Sequence, residues 1–594
     1  MHEQNMIRNL AIIAHVDHGK TTLVDGMLKQ SGVFHAKQVI EDRVMDRNDL
    51  ERERGITIMS KNTAVVYGNY KLNIVDTPGH ADFGGEVERI VQMVDGVLLL
   101  VDAFEGPMPQ TRFVLRKALD ANLIPIVVIN KIDRLHARPD EVLDEVLELF
   151  IDLDANDDQL DFPVVYTNGR QGTASLKPGE PSADLKPLFD MIVDSIPAPK
   201  GNPEAPLQVG VTLIDYDPYL GRQAVGRVVN GIIRAKQEAV LIKAGGEMQR
   251  QRPTGLYVFS KLEKTPANEA LAGEIVVVSG LEDVNVGDTI ADPLEPMPLS
   301  FISIDEPTVS VTFHVSKSPF AGQEGSYVTS RKLGERLMRE TESDVSLRVK
   351  TSDSSDRFLV SGRGELHLSI LMETMRRKGY EFEVSRPQVI KKEINGVLCE
   401  PIEELLIEVP DEYVGIVMER LGPRKCEFVN MQQKGDGHTR LEFHVPARGL
   451  FGFRSEFMTD TKGMGIMYHS FHNYAPWQGE ILTRSRGSLV AYEDGETTAY
   501  GLENAQERGE LFVGAGVPVY KGMIIGENAG SEDLLVNVCK KKHLSNMRSS
   551  TAEISTKLSP HRQMSLEQCL EFIADNELVE MTPKSLRMRK QSVK

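Results

Sequence analysis

The sequence predicts a multidomain chain of mixed α/β and β classes. An α/β phosphate-binding domain comes first, then a small β-barrel, two ferredoxin-like α+β units and a β-rich C-terminal domain. Three observations carry that expectation. At 594 residues the chain is too long for one core, and roughly four to five domains is usual for this length. An apolar run, Leu10, Ala11, Ile12 and Ile13, leads directly into AHVDHGKTTL at 14–23, the strand, turn and helix order of a phosphate-binding loop. After residue 206 the period changes, first to short alternating β-like runs and then to blocks in which strands and helices interleave.

Composition limits the functions to be considered. Hydrophobic residues make up 41% and charged residues 26%, the balance of a soluble globular protein. No apolar run approaches the roughly 20 residues that span a bilayer, and MHEQNMIRNL lacks the shape of a signal peptide, so a cytoplasmic protein with no membrane partner is expected. Cys399, Cys426, Cys539 and Cys569 are scattered without CxxC spacing, which argues for reduced core thiols over a zinc site or a disulfide framework. The net charge of −19 argues against a protein that coats nucleic acid along its whole surface. Residues 481–594 hold 15 acidic and 15 basic side chains, so the whole excess lies before them. Within 536–563, Lys540, Lys541, Lys542, Arg548, Lys557 and Arg562 face one acid, Glu553, which makes a local basic patch.

The spacing Ala14-x4-Gly19-Lys20-Thr21 fits a phosphate-binding loop with Ala in place of the usual first Gly. Such a loop turns backbone N–H groups and a helix N-terminus toward phosphate oxygens. Gly19 lets the backbone approach, Lys20 reaches the outer phosphates, and the Thr21 hydroxyl can ligate Mg²⁺. An ordinary surface turn could show so short a pattern; its company decides. LNIVDTPGH at 72–80 is an apolar strand delivering Asp76, which would hold Mg²⁺ through water, and Gly79, whose N–H would sense the γ-phosphate. IPIVVINKIDR is a third buried strand followed by Asn130, Lys131, Ile132 and Asp133. A carboxylate there accepts the N1–H and N2 amine of guanine, and such pairing can discriminate bases by about 10⁴. Three motifs in this order, each at a strand end, indicate GTP. Between the first two, MDRNDLERERGITI turns abruptly from charged to apolar, as a mobile segment would if Thr57 closed onto Mg²⁺ when a γ-phosphate is present.

Together AHVDHGKTTL, RGITI, DTPGH and NKID resemble the GTPase domain of the translation factors, which implies a P-loop GTPase domain over 1–200. That resemblance implies a nucleotide-binding set of Asp17, His18, Gly19, Lys20, Thr21, Thr22, Gly79, Asn130, Lys131 and Asp133, with Thr21, Thr57 and Asp76 around the metal. It makes His80 the catalytic residue that orients water once the ribosome places it, with Val16 and Ile56 as an apolar gate. The family's fifth guanine motif is usually Ser-Ala; FPVVYTNGRQG offers Asn168 and Gly169 instead, and Gly169 is assigned to it through its backbone N–H.

SIPAPKGNPEAP is a linker by composition. LQVGVTLIDYD, AVGRVVNGIIR and EIVVVSGLEDVNVGDTIAD then read as a β-barrel over 203–300, similar to the second domain of the same factors. The order from VSVTFHVS to SRPQV is a split βαβ unit over 305–390, and SGRGELHL resembles the third domain of elongation factor G. A second such unit over 396–480 resembles that factor's fifth domain. About a dozen residues separate SRPQV from EPIEE, so the large domain that elongation factor G carries between these units has no room, which disfavours a translocase.

Two related factor types share that omission, LepA and BipA/TypA. RGLFGFRSEFMTDTKGMGIM, ENAQERGELFVGAGVPVYKGMIIGEN and LLVNVCKKKHLSNMRSS resemble BipA/TypA, and 481–594 is taken as that family's C-terminal domain. TAEISTKLSP, at 551–560, departs from the expected acidic and then apolar run. KKKHLSNMRSS has no apolar period and should be exposed; in a ribosome-docking acidic protein it reads as an RNA contact through Lys540, Lys541, Lys542, His543 and Arg548. MSLEQCLEFIADNE opens with Ser565 and Gln568 spaced as a capping box.

The function implied is a ribosome-stimulated GTPase of BipA/TypA type that uses GTP and Mg²⁺ and supports large-subunit assembly and translation under stress. It is expected to act as a monomer and to meet rRNA and A-site tRNA. An RNA-binding assembly scaffold with incidental turnover and a LepA-like back-translocase are the alternatives; NKID counts against a metabolic kinase. Lys20, Thr21, Thr57, Asp76 and His80, all present, favour hydrolysis over the scaffold.

Overall fold

The computed structural model describes all residues except 1–2, 16, 32–48, 55–56, 58–59, 79–80, 181–182, 218, 262, 301–305, 345, 353, 434–436, 482–483, 485, 542–557 and 593–594. The chain divides into two compact units, Met1–Asp305 with Glu342–Val345, and Glu306–Thr341 with Ser346–Lys594.

The first unit opens with β1 (Ile7–Ala14), α1 (Lys20–Gln30), α2 (Asp49–Arg54), β2 (Asn62–Tyr67), β3 (Tyr70–Asp76) and α3 (Gly84–Val91). It continues with β4 (Gly96–Asp102), α4 (Pro109–Asp120), β5 (Ile124–Asn130), α5 (Pro139–Asp152), α6 (Asp157–Leu160), β6 (Val164–Asn168), β7 (Thr173–Ser175) and α7 (Lys186–Ser195). The strands form one sheet in the order β2-β3-β1-β4-β5-β6-β7; the central five are parallel and β2 and β7 are antiparallel edges. Both faces are covered, which is why β1 and β4 are buried along their whole length and read as unbroken apolar runs. Alternate side chains go to opposite layers: Leu98 and Leu100 pack with Leu23, Met27 and Phe189, whereas Leu99 and Val101 pack with Ile90, Leu115 and Phe150. The C-terminal ends of the parallel strands, Ala14, Asp76, Asp102, Asn130 and Asn168, line one edge, where open α/β sheets bind ligands.

The barrel follows as β8 (Gln208–Asp217), β9 (Gly221–Asn230), β10 (Ile232–Arg234), β11 (Ala239–Ile242), β12 (Met248–Gln251), β13 (Gly255–Ser260), β14 (Glu263–Pro266), β15 (Glu269–Leu271), β16 (Ile275–Ser279) and β17 (Thr289–Ala291). Eight of these strands run in the order β12-β11-β17-β8-β9-β16-β13-β14, with β10 paired to β15 beside them, around Val209, Val228, Leu241, Leu256, Val276 and Ile290. At a bulge in β8, a Cβ on Gly226 would lie 2.0 Å from the Gly210 carbonyl oxygen, so the two strands meet only because Gly226 has none.

Buried polar contacts fasten the barrel to the nucleotide-domain sheet. Lys71 Nζ lies 2.8 Å from Glu274 Oε1, with 6% and 9% of the two side chains exposed. Asn73 donates to Asn9 Oδ1 at 2.8 Å, and Asn9 donates to the Gly273 carbonyl at 2.9 Å. Arg227 reaches Asp95 at 2.8 Å. Ala64 and Lys261 exchange backbone hydrogen bonds of 3.0 and 2.9 Å.

The second unit begins with β18 (Val309–Val315), α8 (Ser330–Ser343), β19 (Arg348–Thr351), β20 (Arg357–Gly362), α9 (Glu365–Arg377) and β21 (Phe382–Val384), with strand order β19-β20-β18-β21, the ferredoxin-like order. Only β22 (Gln388–Val389) and β23 (Lys392–Ile394) separate this block from the next. That block holds β24 (Val397–Pro410), α10 (Val414–Leu421), β25 (Glu427–Gln433), β26 (His438–Pro446), α11 (Phe453–Asp460) and β27 (Ile466–Pro476), with order β25-β26-β24-β27. The chain ends with β28 (Ser488–Ala491), β29 (Gly495–Glu496), α12 (Ala499–Gln506), β30 (Gly509–Leu511), β31 (Pro518–Val519), β32 (Met523–Asn528), β33 (Leu534–Val536), α13 (Leu566–Phe572), β34 (Glu577–Met581) and β35 (Leu586–Lys590).

One feature differs from a row of separate domains. Apart from β29 and β31, which pair with each other, the C-terminal strands do not form their own sheet: β34 pairs with β21, joining the first ferredoxin-like block and strands after residue 487 in one 11-stranded sheet. The alternation explains the join. Phe382 and Val384 stand opposite Met581 and Val579 on the core face, while Glu383 stands opposite Glu580 on the other. Two facing carboxylates would repel, and here Arg589 meets Glu383 at 3.0 Å while Arg587 meets Glu580 at 2.9 Å. The capping box at α13 is formed: Gln568 N–H donates to Ser565 Oγ at 3.3 Å and Ser565 N–H to Gln568 Oε1 at 3.0 Å.

Removing one partner of a buried ion pair leaves an uncompensated charge and costs about 3 to 5 kcal/mol. Lys71→Met is therefore expected to lower the first unit's melting temperature, read by calorimetry of the full chain, and Lys71→Met with Glu274→Met to recover much of the loss. A single variant that melts like the parent would show that the pair does not hold the barrel.

Candidate functional site

The turn from β1 to α1 forms the floor of the site. Gly19 has φ +92°, and a Cβ there would lie 2.5 Å from Asn130 Nδ2, so this position needs glycine both for conformation and for space. Asp17 also has positive φ, +63°. The first helical turn carries Lys20, Thr21 and Thr22, where helix N–H groups lack partners within the helix. His18 is wholly enclosed. Its ring is edge-on to that of His15 at 5.1 Å, and its Nδ1 lies 3.3 Å from the Asp102 N–H and 3.4 Å from the Leu100 carbonyl oxygen.

Three oxygens from two stretches converge on one cation, the Lys20 ammonium: Asp76 Oδ1 at 2.6 Å, Thr57 Oγ1 at 2.7 Å and the Thr77 carbonyl at 3.0 Å. Thr77 is itself tied to β1 by donating from its hydroxyl to the Ile12 carbonyl at 2.6 Å. Burial pushes the Asp76 carboxyl above its ordinary range, against the pull of Lys20. A hard oxygen set with a single carboxylate suits Mg²⁺, which keeps several waters, better than a softer metal. Among the described residues no group of three or more His, Cys, Asp or Glu side chains could hold a metal.

At the other side of the loop, Asn130 donates to the His18 carbonyl at 2.8 Å and accepts from Thr167 Oγ1 and the Gly169 N–H, both at 3.0 Å. The Gly169 N–H thus meets Asn130. Lys131, with φ +61°, extends its ammonium to the Asp17 carbonyl and lies 2.9 Å from Asp102 Oδ2. Asp133 is exposed beyond them, at the loop tip.

Spacing alone does not single out the charged residues behind this loop. Asp102, fully buried, faces Lys131 and, at 3.0 Å, Arg134; Glu105 meets Arg134 at 2.9 Å and His18 Nε2 at 3.5 Å. The Glu105 carboxyl is held down to about 2, foremost by His18, against the cost of its burial and with Arg134 adding to the pull. The available signal is that the apolar run LLLVD, 98–102, ends in an acid, as LNIVD at 72–76 does.

Val16, Ile56, Gly79 and His80 lie outside the described residues, as do Lys542, His543 and Arg548. Lys540 and Lys541 are described and exposed. The four cysteines are free thiols, Cys399 and Cys569 buried and Cys426 and Cys539 partly so; burial pushes Cys426 and Cys569 up to about 12. No described helix is long and apolar enough to cross a membrane.

Family models match consecutive stretches of the chain: Elongation factor Tu GTP binding domain over 5–198, Elongation factor Tu domain 2 over 221–291, and Elongation Factor G, domain III over 324–386. Elongation factor G C-terminus matches 397–485 and TypA/BipA C-terminal domain 486–594. The chain is 53% identical over 589 residues to the large ribosomal subunit assembly factor BipA of Bacillus subtilis, covering 99% of this chain and 96% of that one. It is 54% identical to the protein of the same description from a Synechocystis species, covering 98% of each chain. With that of Salmonella typhimurium it shares 50% identity over 98% of this chain and 96% of the relative. A crystal structure of a Thermus thermophilus protein superposes with a TM-score of 0.56 at 19% identity, covering 80% of this chain and 98% of the other, a likeness of fold.

Asp133→Asn should exchange the acceptor that guanine needs for a donor suited to the xanthine oxygen. The ratio of GTP to xanthosine triphosphate binding is expected to swing by roughly a hundredfold or more in competition; an unchanged ratio would remove Asp133 from the base site.

Proposed function

The chain belongs to the BipA/TypA family of translational GTPases, and we propose that it hydrolyses GTP in response to the ribosome and serves assembly of the large ribosomal subunit. The observation that carries this is likeness along nearly the whole length to relatives named large ribosomal subunit assembly factor, including the stretch 486–594 matched by the TypA/BipA C-terminal model. That stretch also weighs against a LepA-like role.

In this reading Lys20 and the N–H groups of 17–22 bind the phosphates, and Asp133 takes the guanine edge. Thr21, Thr57 and Asp76 are the residues that would hold Mg²⁺, which when bound neutralises phosphate charge. Gly169, donating to Asn130, braces the base loop. His80 orients water and keeps the role of catalytic residue, with Val16 and Ile56 excluding it until the ribosome is met. The protein acts as a cytoplasmic monomer, and its basic loop, beginning with exposed Lys540 and Lys541, meets rRNA and A-site tRNA.

Phosphate release from GTP and from ATP, with and without ribosomes, tests the proposal: stimulation confined to GTP supports it, and no stimulation favours the scaffold. In the same assay His80→Ala should bind GTP near normally and lose a stimulated rate on the order of 10³-fold or more, the scale of one transition-state group. Full stimulated turnover would show that another residue positions the water.

Lys540→Ala with Lys541→Ala should weaken ribosome binding and flatten its salt dependence. Each phosphate contact contributes about 0.7 to 0.9 to the log–log slope, so the loss should be about 1.5. Equal slopes would make these lysines a solvated surface.

A further inference from the structure

The charged group behind the phosphate loop is built from the end of β4. Asp102 Oδ1 accepts the N–H groups of Phe104 at 2.8 Å and Glu105 at 3.4 Å, and the Gly106 N–H returns to the Asp102 carbonyl at 3.0 Å. This turn aims Glu105 back over the loop. One carboxylate oxygen lies 3.5 Å from His18 Nε2 and the other 2.9 Å from Arg134. His18 is fully enclosed, and its carbonyl is held by Asn130. Arg134 directly follows Asp133 and is held a second time by the enclosed Asp102, which also takes Lys131.

From this we infer that Glu105, with Arg134, is a positioning pair for the nucleotide, joining the phosphate loop through His18 to the guanine-reading loop through Arg134. The inference rests on the reading that residues 17–22 and 130–133 hold GTP. Exposed ion pairs contribute little, and Glu105 and Arg134 are 32% and 39% exposed. The partners they hold, His18 and Asp102, have no exposed surface. Glu105 is the carboxylate beside the enclosed His18 Nε2, at 3.5 Å, longer than a normal hydrogen bond; without it that nitrogen keeps its desolvation cost with no facing charge, and the ring would be free to shift with the loop it belongs to. Glu105 touches neither phosphate nor base in this account; it fixes the two loops that do.

Affinity of the full chain for a fluorescent GDP analogue, together with KM and kcat for ribosome-stimulated GTP hydrolysis, tests this. Glu105→Ala should weaken GDP and GTP alike by roughly tenfold or more and raise KM, with kcat at saturating GTP within about twofold of the parent. Glu105→Gln keeps an oxygen for His18 and should recover most of the affinity. Combining Glu105→Ala with Arg134→Met should lose little more than Glu105→Ala alone, since residues acting as one unit are not additive. Unchanged affinity in Glu105→Ala, a fall in kcat at constant KM, or additive losses in the double variant would overturn the assignment. Should Glu105→Ala fail to fold, Arg134→Met, which breaks the same pair from its other side, carries the comparison: it should weaken GDP and GTP alike with kcat little changed, and unchanged affinity would overturn the assignment. A parent protein that does not bind GDP would instead overturn the reading of the site.

Discussion

One side chain closes the candidate nucleotide site. Asn130 uses its amide N–H to hold the His18 carbonyl and its amide oxygen to collect Thr167 and Gly169, so three loops from three strand ends depend on a single buried group. Parallel pairing places it there, with Asp102 opposite Asn130 on one side and Thr167 opposite it on the other. An enclosed amide that loses either set of partners bears the desolvation cost alone. The same closeness explains Gly19, whose missing side chain leaves the room that Asn130 occupies.

What surrounds the clasp is stiff for related reasons. β1 and β3, which lead to the phosphate loop and to Asp76, carry at their other ends Asn9, Lys71 and Asn73, the groups that fasten the barrel. A change in how the barrel sits would have to break enclosed polar contacts, each of which leaves a charge or amide unpaired. In the second unit the pairing of β21 with β34 uses the same logic on a sheet: apolar partners inward, and facing glutamates neutralised by Arg587 and Arg589.

Much of this was legible from the chain. IVDTPGH and VVINKID announce strands that stop at a polar residue, and β3 and β5 end at Asp76 and Asn130. Such signals are local: a buried parallel strand must be apolar throughout, and the first polar side chain marks where it leaves the sheet. The capping box at Ser565 is local in the same way. By contrast, Asp102, Glu105 and Arg134 look like solvated loop charges, and only the fold shows that they form one cluster, with Glu105 beside the enclosed His18. The strand pair joining Val384 to Val579 is equally silent, since alternation in each strand fixes which side chains face inward but not which strand lies alongside. His80, Val16 and Ile56 take their roles from resemblance, not spacing, and lie outside the described residues.

The central claim is that Asn130 organises the phosphate loop and the proposed base loop as one structure, although it sits in the motif proposed to read the base. The direct measurement is the affinity of Asn130→Ala for GTP and for inosine triphosphate, which lacks the 2-amino group. A clasp predicts that both affinities fall by the same factor, because the phosphate loop has lost its support whichever base is bound. A loss confined to GTP, with inosine triphosphate bound as tightly as by the parent, would contradict the account and reduce Asn130 to a contact for guanine.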